Sequence, residues 1–166
     1  MATPTTLPAT FVSGAVLTAA QQNDLRGAFR VLQVVTGTTP TEVTNSTVTM
    51  EDTTLTATIT PTSTSSKILV IVNHPGCNKS DANVANAIKM ELHRGGSNIQ
   101  TIGTSVGYTG SGIFQYFAIA ASRLDSPSSV AALTYKTVFR NITAAASVTV
   151  QSDSDPSTIT LMEISA

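Results

Sequence analysis

Charge is what this sequence has least of. Asp, Glu, Lys and Arg make up 11% of its residues, less than half of the roughly 25% usual in soluble domains. A free-standing monomer normally covers itself with charges of both signs, so this composition argues against a surface that meets water on every side. The net charge is −1 and no basic patch with interleaved aromatics occurs, which excludes nucleic acid as an expected partner. Cys77 is the single cysteine, so no disulfide can close within one chain. No run approaches the length of an apolar membrane helix, and no membrane insertion is expected. The segment Met1-Ala2-Thr3-Pro4 offers no basic n-region or long apolar stretch, so no secretory signal is expected. The sequons at Asn45, Asn78 and Asn141 then read as chance products of a threonine-rich sequence.

Threonine and serine are what is there instead, together about 28% of the chain and well above ordinary usage. Threonine is β-branched and fits a pleated, half-exposed surface. A polar but uncharged surface is also inexpensive to desolvate against a partner, because no ion has to leave water.

The patterning divides the chain near residue 28. Met1 to Val12, with Pro4 and Pro8, reads as extended. Thr18-Ala-Ala-Gln21 is a capping-box pattern that predicts a helix of two to three turns ending near Gly27. A helix that short must dock on something to be stable. From Phe29 the period becomes two. Phe29 to Val34 predicts a strand buried on both sides. Val43 to Met50 predicts a threonine-rich strand, and Leu55, Ala57 and Ile59 between threonines predict a half-buried one. Lys67 to Val72 predicts a central strand broken by His74-Pro75-Gly76. Ile88 to His93, Ile99 to Ile102, Ile113 to Ile119, Leu133 to Arg140, Ser147 to Gln151 and Thr158 to Ile164 complete the strands, with a hairpin turn at Arg94 to Asn98. About eight strands with turns every 8–12 residues predict an all-β sandwich or barrel over residues 29–166, behind an N-terminal segment over residues 1–28.

Catalytic and metal-binding patterns are absent. His74 and Cys77 form an H-x-x-C pair without the further ligands that zinc needs, and with His93 they read as loop and surface residues. The carboxylates lie mostly in expected turns (Asp52, Asp81, Asp125, Asp153, Asp155), with no converging pair. No catalytic residue, metal ligand or cofactor is therefore expected, and the chain is not expected to be an enzyme. Gly103 to Gly112 predicts a mobile glycine-rich loop carrying Tyr108. Tyrosine offers large contact at low entropic cost, so Tyr108 and Tyr116 are candidates for a binding loop. Phe114 and Phe117 are expected in the core behind it.

Several stretches in order resemble one kind of protein. They are Val31-Leu-Gln-Val-Val35, Ala57 to Val70, Leu92-His-Arg-Gly95, Leu124-Asp-Ser-Pro127, Thr134-Tyr-Lys136 and Ser157 to Ile164. Together they resemble a β-sandwich module, jelly-roll-like, of tail-fibre, appendage and other virion proteins of tailed bacteriophages. Ser13 to Asn23 resembles a segment near the start of phage structural proteins. The resemblance implies an antiparallel jelly-roll-like sandwich of about eight strands that assembles as a homotrimer in the virion. It implies that the N-terminal segment is an anchor to another virion protein, with Ser13, Gly14, Val16, Leu17, Thr18, Gln21, Asn23 and Leu25 as its binding residues. The sandwich would then present Tyr108 and Tyr116 to a host-surface glycan or protein. A trimeric capsid decoration protein and a stand-alone carbohydrate-binding domain are the other readings.

Overall fold

A computed structural model describes residues 30–165 together with Val16. The expected helix and the anchor candidates Ser13, Gly14, Leu17, Thr18, Gln21, Asn23 and Leu25 lie outside the described residues. Val16 is exposed and belongs to no regular element.

The described chain is all-β, with two antiparallel sheets stacked on each other. The first holds β1 (Val31–Thr39), β2 (Val43–Asn45), β4 (Lys67–Lys79), β7 (Gln115–Asp125), β9 (Val148–Val150) and β10 (Ser157–Ile164). The second holds β3 (Glu51–Ile59), β5 (Ile88–Arg94), β6 (Ser97–Val106) and β8 (Leu133–Asn141).

The first sheet reduces to four lines of chain. β9 and β10 follow one another along the same edge of β4, and β2 and β1 pair with them in turn. The sandwich is thus four lines over four: β1/β2, β10/β9, β4, β7 above β3, β8, β5, β6. Consecutive lines cross from one sheet to the other, except at the β5–β6 hairpin.

The alternation explains the faces. In β3, Leu55, Ala57 and Ile59 turn inward and the threonines between them outward. In β10, Ile159 and Leu161 are inward and Thr158, Thr160 and Met162 outward. One apolar cluster forms around Leu55, Ile68, Val70, Tyr135, Ile159 and Leu161, another around Cys77, Ile88, Met90, Phe139, Val148 and Val150. Each such aliphatic side chain contributes about 1.5–3 kcal/mol when fully buried. Gly37 lets the sheets touch at their edge: a Cβ there would stand 2.0 Å from the Thr56 carbonyl oxygen of β3.

A polar line runs between the two clusters. On β4, His74 lies between Val72 and Cys77; on β8, Thr137 lies between Tyr135 and Phe139. His74 Nε2 is 3.0 Å from Thr137 Oγ1, which is 2.6 Å from Thr53 Oγ1. With the Gln151 amide oxygen turned inward, that oxygen accepts from His74 Nδ1 at 3.1 Å and from Ser157 Oγ at 2.9 Å, while the nitrogen donates to the Val150 and Thr41 carbonyls. Every member is satisfied with His74 neutral, its Nε2 accepting from Thr137.

Several expectations need correction. β1 is an edge line with Val31 and Val34 exposed, so it is not buried on both sides. Of Val43 to Met50 only Val43–Asn45 is strand, because Asn45 and Thr47 side chains hold a bend there. His74-Pro75-Gly76 does not end β4; the strand passes through a bulge between His74 and Cys77 and continues to Lys79. His74 and Cys77 are consequently buried in a strand and are not surface residues, whereas His93 is half-buried on the outer face. Asp125 closes β7 as a buried carboxylate that accepts from Tyr135 Oη at 2.7 Å and pairs with Arg94. Asp52 lies in β3 and pairs with Lys136. The sequon residues Asn45, Asn78 and Asn141 are buried, and each side-chain nitrogen donates a hydrogen bond within the fold.

Candidate functional site

The segment from Gly107 to Phe114 joins β6 to β7 across the end of the sandwich where β4 finishes. Its shape follows from three side chains and one absence. Gly107 has φ +79, and a Cβ on it would stand 2.3 Å from the ring of Phe117. Glycine alone therefore lets the loop fold down on Phe117, which packs against the second apolar cluster. Beneath the loop, Lys79 is fully buried; its ammonium donates to Thr109 Oγ1 at 2.6 Å and to the Ser111 carbonyl at 3.1 Å. The expected mobile loop is tied to the central strand, and β6 extends into it as far as Val106.

This platform holds aromatic rings outward. Phe114 is 52% and Tyr116 57% exposed, and their rings meet edge to face with centroids 5.0 Å apart, a favourable arrangement of their quadrupoles. The Tyr116 hydroxyl donates to Asp153 Oδ2 at 3.1 Å. Tyr108 and Ile113 are exposed on the same loop. Tyr108 lies over Gly110, its hydroxyl 3.7 Å from the position a Cβ would take there.

Asp153 comes from the break between β9 and β10. There Gln151, Asp153 and Ser154 hold φ of 54°, 58° and 63°, a left-handed conformation that costs non-glycine residues about 1–3 kcal/mol each. Surrounding structure enforces it. Gln151 is locked in the polar line, and Ser152 Oγ accepts from Asn78 Nδ2 at 2.9 Å. Gly76, in the bulge of β4, leaves room for the break: a Cβ would stand 2.7 Å from that of Asp155. The bulge of one strand and the interruption of its neighbour thus fit together, and they aim the Asp153 carboxylate at Tyr116.

The result is two ring surfaces, a phenol and a carboxylate on a fixed support. It can hold a ligand by apolar contact and hydrogen bonding. It carries no activated nucleophile. Among the described residues no group of three His, Cys, Asp or Glu could hold a metal ion. The Cys77 thiol, buried and pushed up to about 12 by that burial, stays protonated and inert.

Of the two expected binding residues, Tyr116 joins a cluster and Tyr108 stands beside it. Phe114, expected in the core, belongs to the exposed cluster, and Asp153, expected only as a turn residue, is its acceptor. The parity of β7 carried the signal for Phe114: Phe117, Ile119 and Ala121 face inward, so Tyr116 and Phe114 face outward. Nothing in the sequence signalled Asp153, whose placement depends on Gly76 and Asn78.

The opposite end of the sandwich is where residues 1–29 join. Arg30 and Ser165 exchange hydrogen bonds of 2.9 Å beside the start of β4. β4, 13 residues long, separates that end from the aromatic loop by roughly 40 Å at about 3.3 Å per residue.

No protein-family model matches this chain, and no curated protein is significantly similar to it.

Proposed function

We propose that this protein is a structural component of a tailed-bacteriophage virion: a tail-fibre-like or appendage homotrimer. Residues 1–28 fix it to another virion protein, and the far end of its sandwich adheres to the host surface. The observation that carries this reading is the polarity of the domain, which has the N-terminal segment joining at one end and the aromatic loop at the other. We read the strand order, four lines over four with crossings between sheets, as the jelly roll that the sequence resemblance implies. The low charge and abundant hydroxyls suit surfaces that other subunits cover. Adhesion by Phe114, Tyr116 and Tyr108 is weak per subunit and is multiplied by the number of copies that face the cell.

Deletion of residues 1–28 tests the anchor. The truncated chain should keep its β-type circular dichroism and be missing from purified particles. Truncated chain recovered in particles at the normal copy number would contradict the reading.

One other reading is a trimeric capsid decoration protein, which would share the sandwich and differ in its place on the particle. Copy number separates the two: a few tens or fewer per particle places the protein on the tail, and hundreds place it on the shell. Binding of a soluble monomer to a glycan array would instead favour a stand-alone carbohydrate-binding domain.

A further inference from the structure

The two outer faces of the sandwich differ in a way the sequence does not display. On the second sheet the outer face carries charges that answer each other: Lys89 lies 2.8 Å from the Glu91 carboxylate, which also meets His93 at 2.9 Å, and Lys136 lies 2.6 Å from that of Asp52. Thr54, Thr56 and Thr58 of β3 are exposed beside them. This face is finished for water.

The outer face of the first sheet is not. Val34, Met162, Leu69 and Leu124 stand side by side in register across β1, β10, β4 and β7. Val34 is 54% and Leu124 53% exposed. The two rows on its Ile71 side bring that residue together with hydroxyl, amide and methyl side chains, and none of these three rows contains a charge; exposed Lys67, paired with Ile164, borders them on the other side. Four strands about 4.8 Å apart and three rows about 6.6 Å apart cover roughly 400 Å² in projection. That is about half of the area, about 800 Å², that one partner contributes to a standard interface.

We infer that this face is where copies of the chain meet, an inference that rests on the homotrimer reading and locates its interface. The occupant follows from the chemistry. A foreign partner selected by charge would find only Lys67 at the margin of these rows, whereas steering and register between different proteins rest on opposed charges. An identical copy needs none. With the strands running along a three-fold axis, the same rows of three copies come to one level, so aliphatic rows meet aliphatic rows, and a hydroxyl both donates and accepts, so a threonine row can meet its own copies. The chain already uses that pairing between its own strands, at Thr44 with Thr149 and Thr58 with Thr134, each 2.9 Å apart. Covering the uncharged face also removes the exposed apolar row that would otherwise promote aggregation.

The test uses the full chain and multi-angle light scattering. Val34→Glu combined with Leu124→Glu should reduce the mass from the oligomer to 17.2 kDa, while Thr58→Glu on the other outer face should leave the oligomer intact. A second measurement covers the case in which the double variant does not fold. Ser122→Cys, on the uncharged face, should react with a maleimide at least tenfold more slowly than Thr58→Cys; native Cys77 is buried and gives no background. An oligomer that survives the double glutamate change, or equal labelling rates, overturns the assignment of this face and leaves the trimer reading standing. A wild-type chain of 17.2 kDa overturns both.

Discussion

Nε2 of His74 lies 3.0 Å from Oγ1 of Thr137, and this contact ties the two sheets together through the middle of the core. The imidazole is an acceptor there and a donor to Gln151 on its other side. Burial lowers its pKa from 6.5 to about 4, and no carboxylate among its hydrogen-bond partners offsets that.

The first prediction follows from the sign of this shift. The folded state keeps His74 neutral below the pH at which the unfolded chain binds a proton. The stability it contributes is therefore complete above about pH 6.5 and declines as pH falls toward about 4. A shift of this size corresponds to a loss of up to about 3 kcal/mol. Urea denaturation at pH 7, 5.5 and 4 should show this decline, and His74→Phe should flatten it. Glu91 and Glu163 act in a lower window. Burial alone would raise both, but hydrogen bonds from His93 and Lys89, and from Gln33, Ser66 and Thr62, hold each carboxyl below its usual value. Their contribution is present above the ordinary carboxyl range and is lost only as pH falls beneath it. An equal acid sensitivity in His74→Phe between pH 6.5 and 5 would exclude His74 as the cause.

Thr137→Val should destabilise the fold by about 1–3 kcal/mol, because it leaves buried His74 Nε2 without its donor and removes the hydroxyl contact to Thr53, which keeps its bond to the Thr137 carbonyl. Thr53→Val with Thr137→Val should cost less than the sum of the two single changes. A double-mutant cycle by urea denaturation reads the difference, and simple additivity would show that the hydroxyls act separately.

Glycine changes should separate by site. Gly37→Ala forces a Cβ to 2.0 Å from the Thr56 oxygen and should cost more than about 3 kcal/mol or prevent folding, since backbone must move. Gly95→Ala meets nothing within 4 Å and has φ +55, so its cost should be near 1 kcal/mol, from backbone strain alone. Melting temperatures of the two variants check the order.

Phe114→Ala with Tyr116→Ala should leave folding nearly unchanged, since both rings are exposed. It should slow adsorption of particles to host cells at least tenfold, with the loss compounded by valency. Unaltered adsorption would remove these rings from the adhesive surface.

How far the sequence disclosed all this depends on the range over which each residue is held. β3 and β10 were legible because Leu55, Ala57 and Ile59, or Ile159 and Leu161, alternate with threonines, and alternation is a local property. His74-Pro75-Gly76 carries the local chemistry of a turn, yet β4 runs through it. The bulge is filled by Ser152 and Asp155, some eighty positions later, and no local pattern announces a partner so distant. Lys79 is held by residues as distant: the chemistry of a lysine favours solvent, but Thr109 and Ser111, some thirty positions later, close over it. At the candidate site, Tyr116 was legible as an aromatic near the glycine-rich stretch, whereas Asp153 was not. The capping pattern at Thr18 falls outside the described residues.

The central claim is that a chain this poor in ions exists as an assembly. Multi-angle light scattering of the purified full-length protein across a wide concentration range tests it most directly. The account predicts a single species of three 17.2 kDa chains that persists on dilution. A well-folded, soluble species of 17.2 kDa at high concentration would contradict it.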